Sequence, residues 1–139
     1  MKRLKNEGFT FVEIMVVVII LGVLAAMVLP KFMGRTEEAR VNSVQSQLGI
    51  FATALDAYEL DNGKYPTTEQ GIKALSQEPT TPPIPKKWKG PYLQKAATKD
   101  PWGSDYIYKS PGTHNPRSYD VLSYGPDGKE GGNDDITNW

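Results

Sequence analysis

The sequence contains no cysteine, so it has no disulfide framework, thiol nucleophile or cysteine-ligated metal, and its redox compartment is unread. It has one histidine, His114, set in a Pro-Gly-Thr-His-Asn-Pro stretch that reads as a surface turn rather than a general base. It has no excess of either charge, with 16 Lys plus Arg against 16 Asp plus Glu, so nothing in the balance favours a nucleic-acid partner. A glycine-rich phosphate loop and a His-rich metal pattern are missing as well. No catalytic constellation can be assembled from what remains, and the chain reads as a non-enzyme. Proline is nearly missing from the first 60 residues, where Pro30 stands alone among the 11. The later half is therefore loop-rich.

What is present begins with a contrast. Lys2, Arg3 and Lys5 make a basic flank, and from Phe9 to Leu29 the chain is apolar apart from Thr10 and Glu13. At about 1.5 Å per residue this stretch makes a helix of roughly 30 Å, enough to cross a hydrocarbon core. The basic end is expected to stay cytoplasmic. A secretory signal would end in an Ala-x-Ala-like site, whereas Ala25 and Ala26 are followed by Met27, Val28 and Leu29. A plain signal anchor accounts for the hydropathy but not for Glu13. A carboxylate at a bilayer centre costs about 2.5 to 3.5 kcal/mol and requires a partner.

The run from Gly8, GFTFVEIMVVVIILGVLAAMVLP, resembles the N-terminus of type IV pilins and type II secretion pseudopilins. The resemblance implies a leader over residues 1–8, a transmembrane and polymerisation helix over 9–33, and a globular domain over 34–139. It further implies that a prepilin peptidase cuts between Gly8 and Phe9 and that the new Phe9 amine is methylated. Assembly would then pair the cationic Phe9 amine with Glu13 across subunits.

Pro30 and Gly34 predict a hinge in the continuing helix. Val41, Val44, Leu48, Phe51, Leu55 and Tyr58 follow a three-four spacing that makes one apolar stripe, with Glu37, Arg40, Gln45 and Asp56 elsewhere. The stripe suits packing on a small sheet, although a coiled-coil seam has the same spacing. Asn62 and Gly63 are expected to end the helix in left-handed conformations. Thr67 and Gln70 have capping-box spacing, predicting a short helix over 68–75. Pro79, Pro82, Pro83, Pro85 and Pro91 exclude regular structure between Glu78 and Gly90, where Trp88 either packs onto the domain or binds a partner. Tyr106-Ile107-Tyr108 and Tyr119-Asp120-Val121-Leu122 predict a small antiparallel sheet. The fold class is α+β: a long N-terminal helix, half transmembrane and half amphipathic, packed on that sheet, with a loop-rich C-terminal region.

The stretch GPDGKEGGNDD carries Asp127, Asp134 and Asp135 with no apolar residue to fold it. Oxygen ligands on a flexible loop suit calcium, but the spacing is not that of an EF-hand, and on the residues alone solvated acidic turns are the better reading. The segments DNGKYPTTEQGIKAL, DPWGSDYIY and SYGPDGKEGGNDDITNW together resemble the major pseudopilins of type II secretion systems, within the pilin-like family. That likeness implies a Ca2+ ion held by Asp127, Asp134 and Asp135 with carbonyls near Tyr124 and Lys129, and Glu130 as a possible substitute. Ile136 and Trp139 would anchor the tail.

It also implies a homopolymeric periplasmic fibre that supports export of folded proteins. Its partners would be minor pseudopilins, the inner-membrane assembly platform and the prepilin peptidase, and the chain would sit singly across the inner membrane before assembly. A type IV pilin for adhesion or motility is the nearest alternative. A monomeric membrane-anchored domain that binds calcium, or uses the proline loop as its contact surface, is the more distant one.

Overall fold

The computed structural model describes residues 8–139, without the side chains of 29–33. The basic leader residues Lys2, Arg3 and Lys5 lie outside the described residues. One helix, α1, runs Phe11–Asn62. Its helical assignment continues through Pro30 and Gly34, so the expected hinge does not interrupt α1. Once nucleated, a helix propagates past a single missing hydrogen bond.

The chain divides into two compact units, one up to Glu38 and one from Ala39 to Trp139. In the first unit no described side chain between Phe11 and Val28 is buried. In the second, the predicted stripe does what its spacing demands. Val44, Leu48, Phe51, Leu55 and Tyr58 are buried, Val41 packs at their margin, and the coiled-coil alternative falls away.

The helix ends as Gly63 turns left-handed at φ 76°. Asn62 does not share that conformation. Its side-chain amide instead donates to the Tyr58 carbonyl at 2.9 Å, satisfying one of the last open carbonyls. The helix expected over 68–75 is also shorter than its capping box suggests. The box itself forms, with the Thr67 N–H on Gln70 Oε1 at 3.0 Å and the Gln70 N–H on Thr67 Oγ1 at 3.3 Å. Gly71 then sits at φ 62°, ψ −169°, which no helix accommodates, and only Ile72–Leu75 closes, as a single 3-10 turn.

Three short strands complete the unit: β1 (Ile107–Lys109), β2 (Asp120–Ser123) and β3 (Ile136–Thr137). They form an antiparallel sheet in the order β1-β2-β3, with Tyr108 opposite Val121 and Ser123 opposite Ile136. The sheet's buried side chains, Tyr108, Val121 and Ile136, join the helix stripe and Ile72, Ala74 and Leu75 in one apolar cluster. Aromatic edges knit it, including Phe51 on Tyr106 at 5.2 Å and Tyr65 on Tyr119 at 4.9 Å.

The proline loop lies on the surface but is tied down. Gln70 Nε2 donates to the carbonyls of Thr81 (2.8 Å) and Pro83 (3.0 Å), and Trp88 Nε1 donates to the Ala74 carbonyl at 3.0 Å. Trp88 meets Tyr92 edge-on at 5.9 Å, so its role is packing.

Candidate functional site

Two places carry the sequence's chemistry, one in each unit. The first is the start of α1. Thr10 accepts the Glu13 N–H at 3.3 Å, and Glu13 Oε2 accepts the Thr10 N–H at 3.4 Å. This reciprocal pair is a capping box, and Thr-x-x-Glu is its sequence signature. Sequence reasoning gave Glu13 only an assembly role and missed its local one. The cap leaves Glu13 exposed, beside Phe9 and Phe11 at 81% and 79% exposure. From Phe11 to Val28 the mean hydropathy is 2.9, so this helix is long and apolar enough to cross a membrane.

The second place is the loop after β2. Tyr124 leads into a 3-10 turn over Gly125–Asp127, and Gly128 closes it left-handed at φ 65°. The three predicted aspartates are brought into one loop but do not converge. Among the described residues, no three acidic or imidazole side chains come close enough together to hold a metal ion. Asp134 Oδ2 accepts the Asp127 N–H at 3.3 Å, which joins those two. Asp127 Oδ1 accepts the Lys129 N–H at 2.8 Å, and Asp135 Oδ2 accepts the Gly131 N–H at 3.0 Å. Glu130 and the Lys129 side chain face solvent.

One atom is out of place in this otherwise satisfied loop. Asp135 Oδ1 is buried with no hydrogen-bond partner. A buried carboxylate oxygen left alone costs several kcal/mol, so its position calls for a cation or donor. The backbone around it is closely fitted. A Cβ on Gly125, itself at φ +68°, would fall on the Asp134 carbonyl, and a Cβ on Gly132 would stand 2.7 Å from Asp134 Oδ1. Carboxylates on a short glycine-rich loop are the hard oxygen donors that an ion such as Ca2+ takes, and the unpartnered Asp135 Oδ1 is the atom that would meet it.

The loop hangs on residues that sequence reasoning overlooked. Asp100 is buried in the Asp-Pro-Trp-Gly turn, where its Oδ1 accepts the N–H groups of Trp102 (3.1 Å) and Ser104 (2.9 Å). Its Oδ2 accepts the Ser123 hydroxyl at 2.6 Å, and Ser123 Oγ in turn accepts the Gly125 N–H at 3.1 Å. An Asp followed by Pro-x-Gly is a recognisable turn signal, but nothing local foretells the partner at Ser123.

Asp120 does similar work at the other end of β2. It accepts the N–H groups of Thr113 (2.7 Å), His114 (2.8 Å) and Asn115 (3.0 Å). Burial pushes its carboxyl up, but those hydrogen bonds outweigh burial and hold it below the usual carboxylate range. His114 is thus a turn residue, as its context indicated. Its ring stacks on Trp139 at 4.0 Å, which is how Trp139 fixes the tail, while Ile136 is buried in the core.

Residues 31–139 match the family model described as type II secretion system (T2SS), protein G, and residues 3–29 match the prokaryotic N-terminal methylation motif. A type II secretion system core protein G from Pseudomonas aeruginosa is 50% identical, with all of this chain aligned to 99% of that protein. The Escherichia coli K12 protein of the same description is 47% identical over 97% of this chain and 92% of its own length. Among solved structures, the major pseudopilin from the type 2 secretion system of enterohaemorrhagic Escherichia coli superposes with a TM-score of 0.69. It is 42% identical, over 77% of this chain and 88% of that one.

The long helix on a small antiparallel sheet is a pilin-like architecture. The chain belongs to the type II secretion system protein G family. It is a structural subunit of the pseudopilus, anchored by an apolar helix, and not an enzyme.

Proposed function

We propose that the chain is processed between Gly8 and Phe9, methylated on the Phe9 amine, and polymerised through residues 9–33 into a periplasmic fibre that supports export of folded proteins. The observation that carries this reading is that no residue from Phe11 to Val28 is buried, around one carboxylate. A helix apolar all round has no stable home in water and must be covered by lipid or by other apolar helices. In the membrane it sits singly across the inner bilayer; in the fibre, copies of itself replace the lipid. Glu13 then gains the partner it needs in the cationic Phe9 amine of a neighbouring subunit. Prepilin peptidase, minor pseudopilins and an inner-membrane assembly platform are the partners this route requires.

Mass spectrometry of the mature chain should give a methylated Phe9 N-terminus, and an intact Met1 or a cut near Ala26 would end this reading. Glu13→Ala should insert normally yet fail to pellet as filaments. Wild-type pelleting would remove the charge pair from the account.

The acidic loop is assigned to one Ca2+, with Asp127, Asp134 and Asp135 as its carboxylates and the carbonyls of Tyr124 and Lys129 as further oxygens. The orphaned Asp135 Oδ1 supports this assignment. The ion would supply cohesion to a loop with little apolar content. Calcium at about 100 times Kd should add roughly 2.7 kcal/mol to the folded state. Calorimetry of the full chain in detergent should show a melting temperature several degrees higher with calcium than with chelator. Asp135→Asn should abolish the gain and Glu130→Gln should keep it. Identical melting with calcium and with chelator would return the loop to solvated turns.

A further inference from the structure

The proline loop is used by nothing described so far, yet it forms one wall of an open groove of about 590 Å3. The other wall is the last turn of α1. Leu60, Asp61, Asn62, Gly63 and Lys64 line one side, and Pro83, Ile84, Pro85, Lys86 and Lys87 the other. Leu60 is 87% exposed and Ile84 57% exposed, two large aliphatic side chains presented to solvent across one groove. Scattered exposed apolar residues need no explanation, but two that line one groove make a patch that does.

The groove is preformed. Gln70 holds the carbonyls of Thr81 and Pro83, Trp88 holds that of Ala74, and Lys89 reaches across to Asp61 at 3.0 Å. Preorganised walls lower the ordering cost of docking. The groove is also charged in one sense. Its single carboxylate, Asp61, is taken up by Lys89 and by the Tyr92 hydroxyl at 3.0 Å. Lys64, Lys86 and Lys87 make no ion pair among the described residues. The cleft beside β1 offers no such pattern, for there Glu69 and Asp105 stand against Lys73 and no large aliphatic residue is exposed.

We propose that this groove docks an acidic extended segment of a partner protein, one aliphatic side chain seated between Leu60 and Ile84 and its flanking carboxylates on Lys64, Lys86 and Lys87. Apolar contact gives the seat, and charge complementarity gives orientation and rate. The inference does not depend on the calcium assignment.

The test uses the full chain in detergent micelles and a fluorescein-labelled Asp-Glu-Leu-Asp-Glu peptide, read by anisotropy. Saturable binding is expected, weakened at least tenfold by Ile84→Ser, by the double change Lys86→Glu with Lys87→Glu, and by Ser in place of the peptide's Leu. Lys95→Glu, on a different face, should leave binding within twofold. An unchanged melting curve for each variant excludes misfolding as the cause. Three results would overturn the proposal. One is no saturable binding at millimolar peptide. Another is equal loss with Lys95→Glu, which would reduce the effect to general charge attraction. The third is chain self-association that Ile84→Ser abolishes and the peptide does not compete, which would make the occupant a second copy.

Discussion

From Phe11 to Val28 α1 buries nothing, and Ile14, Ile19 and Leu24 each leave more than half their surface open. From Val44 to Tyr58 the same helix buries five large side chains in a core shared with Tyr108, Val121 and Ile136. Both stretches carry large apolar residues, but only the first, at a mean hydropathy of 2.9, is apolar enough to cross a membrane. They differ in periodicity as well: the first is apolar on every face, the second on one. An all-round apolar helix takes its stability from whatever surrounds it, and a striped one from its own domain. The two halves should therefore answer to different perturbations.

The largest test is to remove a ring from the striped half. Phe51→Ala should cost about 3–5 kcal/mol, because a fully buried aromatic leaves a cavity. Chemical denaturation of the chain in detergent, followed by aromatic circular dichroism, would measure it. Ile19→Ala should leave the same transition within about 0.5 kcal/mol. A comparable loss at both sites would mean that the exposed half is packed within the chain after all.

A smaller effect should follow from Asp120→Ala, which strips the acceptor from three backbone N–H groups and should cost about 2 kcal/mol. The pH dependence of the wild type carries the same information. Because the folded Asp120 carboxyl lies below its ordinary value, its contribution is complete above about pH 4 and fades as pH falls through the folded value. Acid should thus destabilise the wild type more than Asp120→Ala, with midpoints compared at pH 6 and pH 3.

At the alkaline end, burial pushes the phenols of Tyr106 and Tyr119 up to about 12. Their stabilisation is full below about pH 10 and is lost as pH rises through that range. Ultraviolet difference titration should find these phenols ionising late, together with loss of the sheet. Ionisation at the ordinary tyrosine pH with the fold intact would break the argument.

The smallest effect belongs to the exposed pair Lys99 and Asp105, 3.2 Å apart. Lys99→Ala should change stability by no more than about 0.5 kcal/mol.

Much of this arrangement was legible because it is written in local patterns. The three-four spacing from Val41 to Tyr58 located the core face of α1, and the β-prone runs Tyr106-Ile107-Tyr108 and Tyr119-Asp120-Val121-Leu122 located two strands. The third strand was not legible, since Ile136 and Thr137 follow a glycine-rich acidic stretch and are too few to show a period. The capping box of Thr67 and Gln70 signals a helix over 68–75, but Gly71, at φ 62°, breaks it. At the acidic loop, the aspartates are visible as letters, but their partial separation is set by contacts with Gly131 and Lys129 that no spacing encodes. Asp100 and Asp120 were missed for a related reason. Their importance lies in backbone groups of other segments, and an isolated Asp looks like any turn residue.

The position of β3 at one edge of the sheet bears on how the protein comes into being. Ser123 pairs with Ile136, and the Val121 N–H is held by the side chain of Asn138 at 2.9 Å. The helix stripe at 44–58 thus waits for residues some eighty positions downstream before its core can close. Such long-range closure makes folding slow and all-or-none. While the chain is still emerging, from a ribosome or through a membrane, the striped half of α1 has no sheet to cover it. Throughout that interval the nascent domain is a sticky amphipathic helix in need of shelter, and maturation ends only when Ile136 arrives.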